Sequence, residues 1–288
     1  PAKQLLELSG SVEIAKEAEG EPDLRISELQ EAVRLRPGDV EAHFNLGMEY
    51  NEEGQYDLAI SEFQEAVRLR PDLAKIHLFL GMAYGEKGLN DLQISESQEA
   101  IRLMPDFAEA HLSLGVAYGI KGQDDLAIRE YQEAIRLKPD YAEAHHFLGA
   151  TYNDKGQYDL AINELQEAVR LQPEYTGAHY NLGVAYNGKG QHDLAMSEYQ
   201  ETIRLKPDYP EAHYQLGLAY QEKAMYDLAI SEYQEAIRLK PNYEQAHETL
   251  SMACRIKNLL EMKLEDTLEP KSNGADAQRH LERGLALL

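Results

Sequence analysis

Apolar and polar positions along this chain fall into two helical stripes that recur together. Between Ala108 and Ile120, the residues Leu112, Leu114, Val116, Ala117 and Tyr118 lie at helical spacing. Gly122 follows, able to take positive φ and so to end that helix. Asp124 and Asp125 stand at the next start, where carboxylates suit the positive end of a helix dipole. Leu126, Ala127, Ile128, Tyr131, Ala134, Ile135 and Leu137 form a second apolar face, and Pro139 stops it. The predicted unit is a helix, a tight turn, a second helix and a second turn. The small residues Gly115, Ala127 and Ala134 sit where the two helices must approach closely.

The unit recurs every 34 residues. Pro37, Pro71, Pro105, Pro139, Pro173, Pro207 and Pro241 mark the period, as do His43, His77, His111, His145, His179, His213 and His247. A fixed period of this size marks a repeat array. Leu114-Gly115, Tyr118, Ala127, Tyr131 and Pro139 carry a more specific pattern, with His111 where Trp is usual. On these residues the chain resembles the tetratricopeptide repeat (TPR) family. The resemblance implies an all-α fold, a right-handed superhelical solenoid of stacked antiparallel helix pairs. Six full units span 40–243, at 40–73, 74–107, 108–141, 142–175, 176–209 and 210–243.

The ends depart from the pattern. Residues 1–39 read as a degenerate N-terminal repeat or cap, whose second half follows the consensus while Leu5 to Glu19 has lost it. A terminal unit exposes one face, so polar replacements are expected there. Residues 244–288 read as a degenerate seventh repeat followed by a capping helix. Ser251 and Cys254 replace Gly and Tyr, the apolar pattern runs on towards Leu268, and 271–274 read as a loop after Pro270. Ala275 to Leu288 then forms a short amphipathic stretch, with a cap weighed above a tail that enters a groove. Within the array, Glu49 stands where other repeats have Ala or Thr, and needs solvent or a partner charge. In the second repeat Gln93 replaces Ala and Ser97 replaces the aromatic, so this is the expected soft joint of the stack.

Charge and chemistry narrow the function. With 28 Lys and Arg against 51 Asp and Glu, the formal charge is −23, spread along the array. That argues against nucleic acid, whose phosphates need clustered cations, and against anionic membrane surfaces. Solubility is the plainer reading of this acidity, attraction for a basic partner the sharper one. No apolar run is long enough to span a membrane. The lone Cys254 excludes an intrachain disulfide and suits a reducing, cytoplasmic setting, although the chain begins at Pro1 with its natural start unseen. There is no phosphate-binding loop, no H-E-x-x-H, no C-x-x-C and no G-x-S-x-G. The recurring histidines stand roughly 10 Å apart by helix packing distances, too far to share an ion. No metal, cofactor or catalytic residue is therefore expected.

The second helices are near copies, whereas the first helices vary. In the family the first helices line a concave face that binds peptides or helices. The resemblance thus assigns a groove: Phe44, Asn45, Met48 and Asn51; Leu78, Phe79 and Met82; Leu112, Ser113, Val116 and Ile120. It continues with His146, Phe147, Ala150 and Asn153; Tyr180, Asn181, Val184 and Asn187; Tyr214, Gln215, Leu218 and Gln221. Aromatic anchors alternate there with carboxamides able to bond a peptide backbone. These positions carry no Lys or Arg, so the family's carboxylate clamp is absent, and only Asn45 and Asn181 remain of its Asn ladder. The expected function is a non-catalytic protein-interaction scaffold with a protein or peptide partner. Two alternatives stay open: a regulatory or targeting segment of a larger enzyme such as a transferase, and a self-assembling protein whose groove or tail binds a second copy.

Overall fold

A computed structural model describes residues 22–268. These residues form fourteen α-helices, and no strand occurs among them. They are α1 (Pro22–Leu35), α2 (Val40–Glu52), α3 (Tyr56–Leu69), α4 (Ala74–Glu86), α5 (Asn90–Leu103), α6 (Ala108–Ile120) and α7 (Asp124–Leu137). There follow α8 (Ala142–Asp154), α9 (Tyr158–Leu171), α10 (Thr176–Gly188), α11 (His192–Leu205), α12 (Pro210–Glu222), α13 (Tyr226–Leu239) and α14 (Glu244–Leu268). The chain divides into two compact units, one ending at Ala185 and one beginning at Tyr186. The expectations for Leu5 to Glu19 and for the final stretch from Ala275 fall outside the described residues.

In the first unit each helix pair closes on glycine and alanine. A side chain on Gly115 would meet the Tyr131 ring at 2.6 Å, so only hydrogen lets α6 and α7 come this close. Ala127 and Ala134 are fully buried on the facing side. Gly54, Gly88, Gly122 and Gly156 turn the chain at φ of +67 to +71°, which costs a Cβ-bearing residue free energy. In the second unit Ala224 takes the same turn at φ +57°. Asp125 reaches the next repeat instead of capping its own helix: its carboxylate lies 3.1 Å from Lys155. The same 30-residue link joins Asp57 to Lys87 at 2.8 Å and Asp91 to Lys121.

Two departures find their partners here. Glu49 is buried, with Arg25 of α1 2.5 Å from its carboxylate. In the second repeat, buried hydrogen bonds replace the missing apolar packing. Ser97 Oγ lies 3.0 Å from Ser113 Oγ, and Gln93 Nε2 donates to the Ser113 carbonyl at 3.2 Å.

In the second unit, Tyr233 is fully buried with Ala229 and Ala253, and Tyr214 packs 5.9 Å from its ring. Helix α14 runs unbroken where other repeats turn. Met252, Leu259 and Leu260 lie on it 57%, 56% and 48% exposed.

The periodic histidines tie the turn before each first helix to the second helix of the same repeat. Nδ1 lies 2.6–2.7 Å from a carboxylate in His43–Glu62, His77–Glu96, His111–Glu130, His145–Glu164 and His213–Glu232. Nε2 of the same rings lies 3.0–3.3 Å from the carbonyl of the proline six residues earlier. Both nitrogens face acceptors, so in His77, His111, His145 and His213 the geometry suits the doubly protonated ring. Burial opposes that charge. The carboxylate, the proline carbonyl and a second glutamate (Glu99, Glu133, Glu167 or Glu235) outweigh it and raise His77, His111, His145 and His213. A raised folded-state value adds stability fully present below the unfolded imidazole value of about 6.5 and lost as pH rises through the folded value. The urea midpoint of the chain is accordingly expected to fall from pH 6 to pH 8. Changing His77, His111 and His145 together to Gln flattens that slope; an equal slope in the triple variant would assign it to general charge repulsion instead.

Candidate functional site

In the first unit the assigned groove residues separate into core and surface. Phe44 has no exposed surface: its ring lies 5.8 Å from Phe63 and 5.3 Å from Phe79, so it is core rather than an anchor open to a partner. Asn45, Met48 and Asn51 are half-buried. Asn153 is buried and donates to the Asn181 carbonyl at 2.8 Å. Asn181 in turn donates to His146 Nε2 at 2.9 Å, leaving the His146 Nδ1–H to meet the Tyr175 hydroxyl at 2.9 Å. Burial pushes His146 down to about 4, so this ring is neutral. These carboxamides are engaged within the protein. Ala150, Tyr180 and Val184 are half-buried.

The second unit holds the remaining positions, all half-buried. Asn187 Oδ1 accepts from His192 Nδ1 at 2.9 Å, and Gln221 Oε1 accepts from the Tyr233 hydroxyl at 3.2 Å. The Tyr214 hydroxyl lies 3.5 Å from Thr249 Oγ1. Gln215 and Leu218 complete this face.

The structure brings eight of the assigned residues together around one cavity of about 580 Å3 in the first unit. Helix α4 supplies Leu78, Phe79 and Met82; α6 supplies Leu112, Ser113, Val116 and Ile120; α8 supplies Phe147. The cavity has an identifiable origin. In neighbouring repeats two rings meet at the equivalent place, Phe63 with Phe79 at 6.2 Å and Tyr131 with Phe147 at 5.9 Å. Here Ser97 meets Ser113, and the volume of two rings is vacated. Met82 and Ile120 are 42% and 61% exposed at its mouth.

Sequence reasoning missed Gly85, Glu86, Gln93, Glu109 and Tyr141, which also line the cavity. Gln93 belongs to a second helix and reaches in because Gly85 opposite it has no side chain; a Cβ there would meet its carboxamide at 2.6 Å. The available signal was the coincidence of Ser97, Ser113 and Gly85 in adjoining repeats. Lys75 was also missed: it stands one turn before Phe79, with Nζ 5.4 Å and 5.9 Å from the Phe44 and Phe79 ring centres. Among the described residues, no helix is long and apolar enough to cross a membrane, and no group of three or more His, Cys, Asp or Glu could hold a metal.

The comparisons agree on the architecture. A TPR repeat family model matches residues 47–88, 120–153, 149–190 and 185–223, and a tetratricopeptide repeat model matches 210–243. No curated protein sequence matches the chain. Among solved structures, a chain of the APC/C hetero-tetramer Cut9–Hcn1 aligns at TM-score 0.73 and 22% identity over 81% of this chain. This chain covers only 46% of that one. YrrB, described as a TPR protein with an unusual peptide-binding site, aligns at 0.54 and 22% identity, over 65% of this chain and 96% of its own. MamA aligns at 0.52 and 30% identity, over 58% and 97%. With helix pairs of this packing and repeats matched over 47–88 and 120–243, the chain belongs to the tetratricopeptide repeat family.

Proposed function

We propose that this protein is a non-catalytic interaction scaffold that holds a peptide or helix of a partner protein against the first helices of its first unit. TPR repeats generally mediate protein–protein interactions, and both YrrB and Cut9–Hcn1 are described by a binding site or a complex. The observation that carries the reading is the cavity between α4, α6 and α8. Its size lies within the range of roughly 300–1,000 Å3 common for binding pockets. Its wall is mostly aliphatic and aromatic, with Gln93 and Ser113 buried in it and Glu86 exposed. Such a site rewards an inserted apolar side chain through the hydrophobic effect, and its few polar groups fix orientation.

Peptides selected against the whole chain from a random displayed library test the reading. Met82→Lys places a charge at the exposed mouth, and Ser113→Phe restores the ring that α4 and α8 carry at this position. Each is expected to weaken the selected peptides at least about tenfold, equivalent to ~1.4 kcal/mol. Circular dichroism and melting of each variant show whether the fold is retained. Unchanged binding to a folded Met82→Lys protein would place the partner elsewhere.

A further inference from the structure

The two ends of this cavity differ in charge. Glu86, Ile120 and Asp154 are the last residues of α4, α6 and α8, three first helices in the same register. Helix C-termini carry partial negative charge from their unpaired carbonyls. Two carboxylates add to it: Glu86, which lines the cavity, is exposed and makes no ion pair among the described residues, and Asp154, which ends α8 outside the cavity lining. Asp124 opens α7 four residues beyond Ile120, close enough for its charge to act on Asp154. Partial burial and then the charge of Asp124 hold Asp154 above the ordinary carboxylate value. Neither aspartate has a cation of its own, because Lys155 pairs with Asp125. At the opposite end the protein supplies its own cations. Lys138 lies 3.7 Å from Glu109 and 4.4 Å from the Tyr141 ring centre, and Lys75 covers Phe79.

We propose that the cavity's occupant is a cationic apolar segment of a partner protein. A large apolar side chain fills the space between α4, α6 and α8. A neighbouring Lys or Arg lies at the helix C-termini among Glu86, Asp124 and Asp154. The inference rests on the groove reading above and adds to it the chemistry of the partner. Lys87, Lys121 and Lys155 follow the three helix ends but are paired with Asp57, Asp91 and Asp125, so Glu86, Asp124 and Asp154 leave excess negative charge at these ends, and a basic group there relieves repulsion as well as adding attraction. An acidic segment meets the same field as repulsion.

Fluorescence anisotropy on the whole chain tests this with three labelled peptides sharing a Leu-Phe-Leu core. One is flanked on both sides by Lys-Lys, one by Gln-Gln and one by Glu-Glu. The Lys-flanked peptide is expected to bind at least about tenfold tighter than the Gln-flanked one, and the Glu-flanked one weakest. Raising salt from about 0.05 M to about 0.3 M shrinks that advantage. Glu86→Gln with Asp154→Asn removes it. Asp106→Asn with Asp140→Asn, the same charge change at exposed turns, leaves it intact. Met82→Lys weakens all three peptides. If all three bind alike and all respond to Met82→Lys, the charge inference is overturned while the groove reading stands. If the two double variants act alike, the preference belongs to the whole acidic surface and the inference also fails. If no peptide binds, the groove reading falls and takes the inference with it.

Discussion

Phe63→Ala is expected to destabilise the first unit by about 4 kcal/mol, within the ~3–5 kcal/mol measured for deleting buried rings. The ring is fully buried and rests against Gly47, where a Cβ would stand 2.7 Å from its carbons. It also packs against Phe44 and Phe79, so its removal takes the centre from a cluster shared by α2, α3 and α4. On the helix facing the ring, the position in contact with it is Gly47, which has no side chain to fill the space. Urea unfolding followed by circular dichroism measures the loss, and hydrogen exchange locates it in α2–α4. Ser97→Ala at the equivalent position of the next repeat is the control. It removes one hydrogen bond beside an existing cavity and should cost only about 1 kcal/mol. Equal costs at the two sites would mean that position in the repeat, rather than the ring, sets stability.

Arg25→Ala should cost about 3 kcal/mol, near the lower bound for breaking a buried ion pair. The loss arises from what remains: Glu49 keeps a carboxylate whose side chain is 10% exposed, with its cation removed. Most of the cost is thus the desolvation of an uncompensated charge. Glu49→Ala in the Arg25→Ala background should recover most of it, because Ala83 and Ala117 fill this position in the next two repeats without a charge. Stability is read from urea midpoints of the single variants and the double variant. If the double variant is no more stable than Arg25→Ala, the cost lies in lost packing of the arginine stem, and the electrostatic account is wrong.

The candidate site was half legible before the structure. Leu78, Phe79, Met82, Leu112, Val116, Ile120 and Phe147 are first-helix positions, which the family resemblance assigns to the groove and the 34-residue repeat locates. The same rule also selected Phe44, which is core, and Asn153 and Asn181, whose amides are engaged inside the protein. Periodicity reports the face of a helix; it carries no information on how far the next helix covers that face. The histidines follow the same logic. Their period was plain, yet the carboxylate that holds each ring lies 19 residues away, on the other helix of the pair.

The amino-acid sequence by itself determined the repeat, the bounds of the helices and the close packing of each pair. Those depend on residues within one 34-residue unit: a glycine that can turn, a proline that must stop, an alanine small enough to be covered. Only the tertiary structure decided where space was left and which charges lacked partners. Ser97 reads as a lost aromatic and Ser113 as one groove position among many until α5 and α6 place their hydroxyls 3.0 Å apart. Glu86 is one acid among 51 until its helix places it on the wall of the cavity, and Asp124 and Asp154 act on each other only because α7 and α8 pack together. Volume and electrostatic potential are sums over side chains from separate helices, and those sums exist only after the helices have packed.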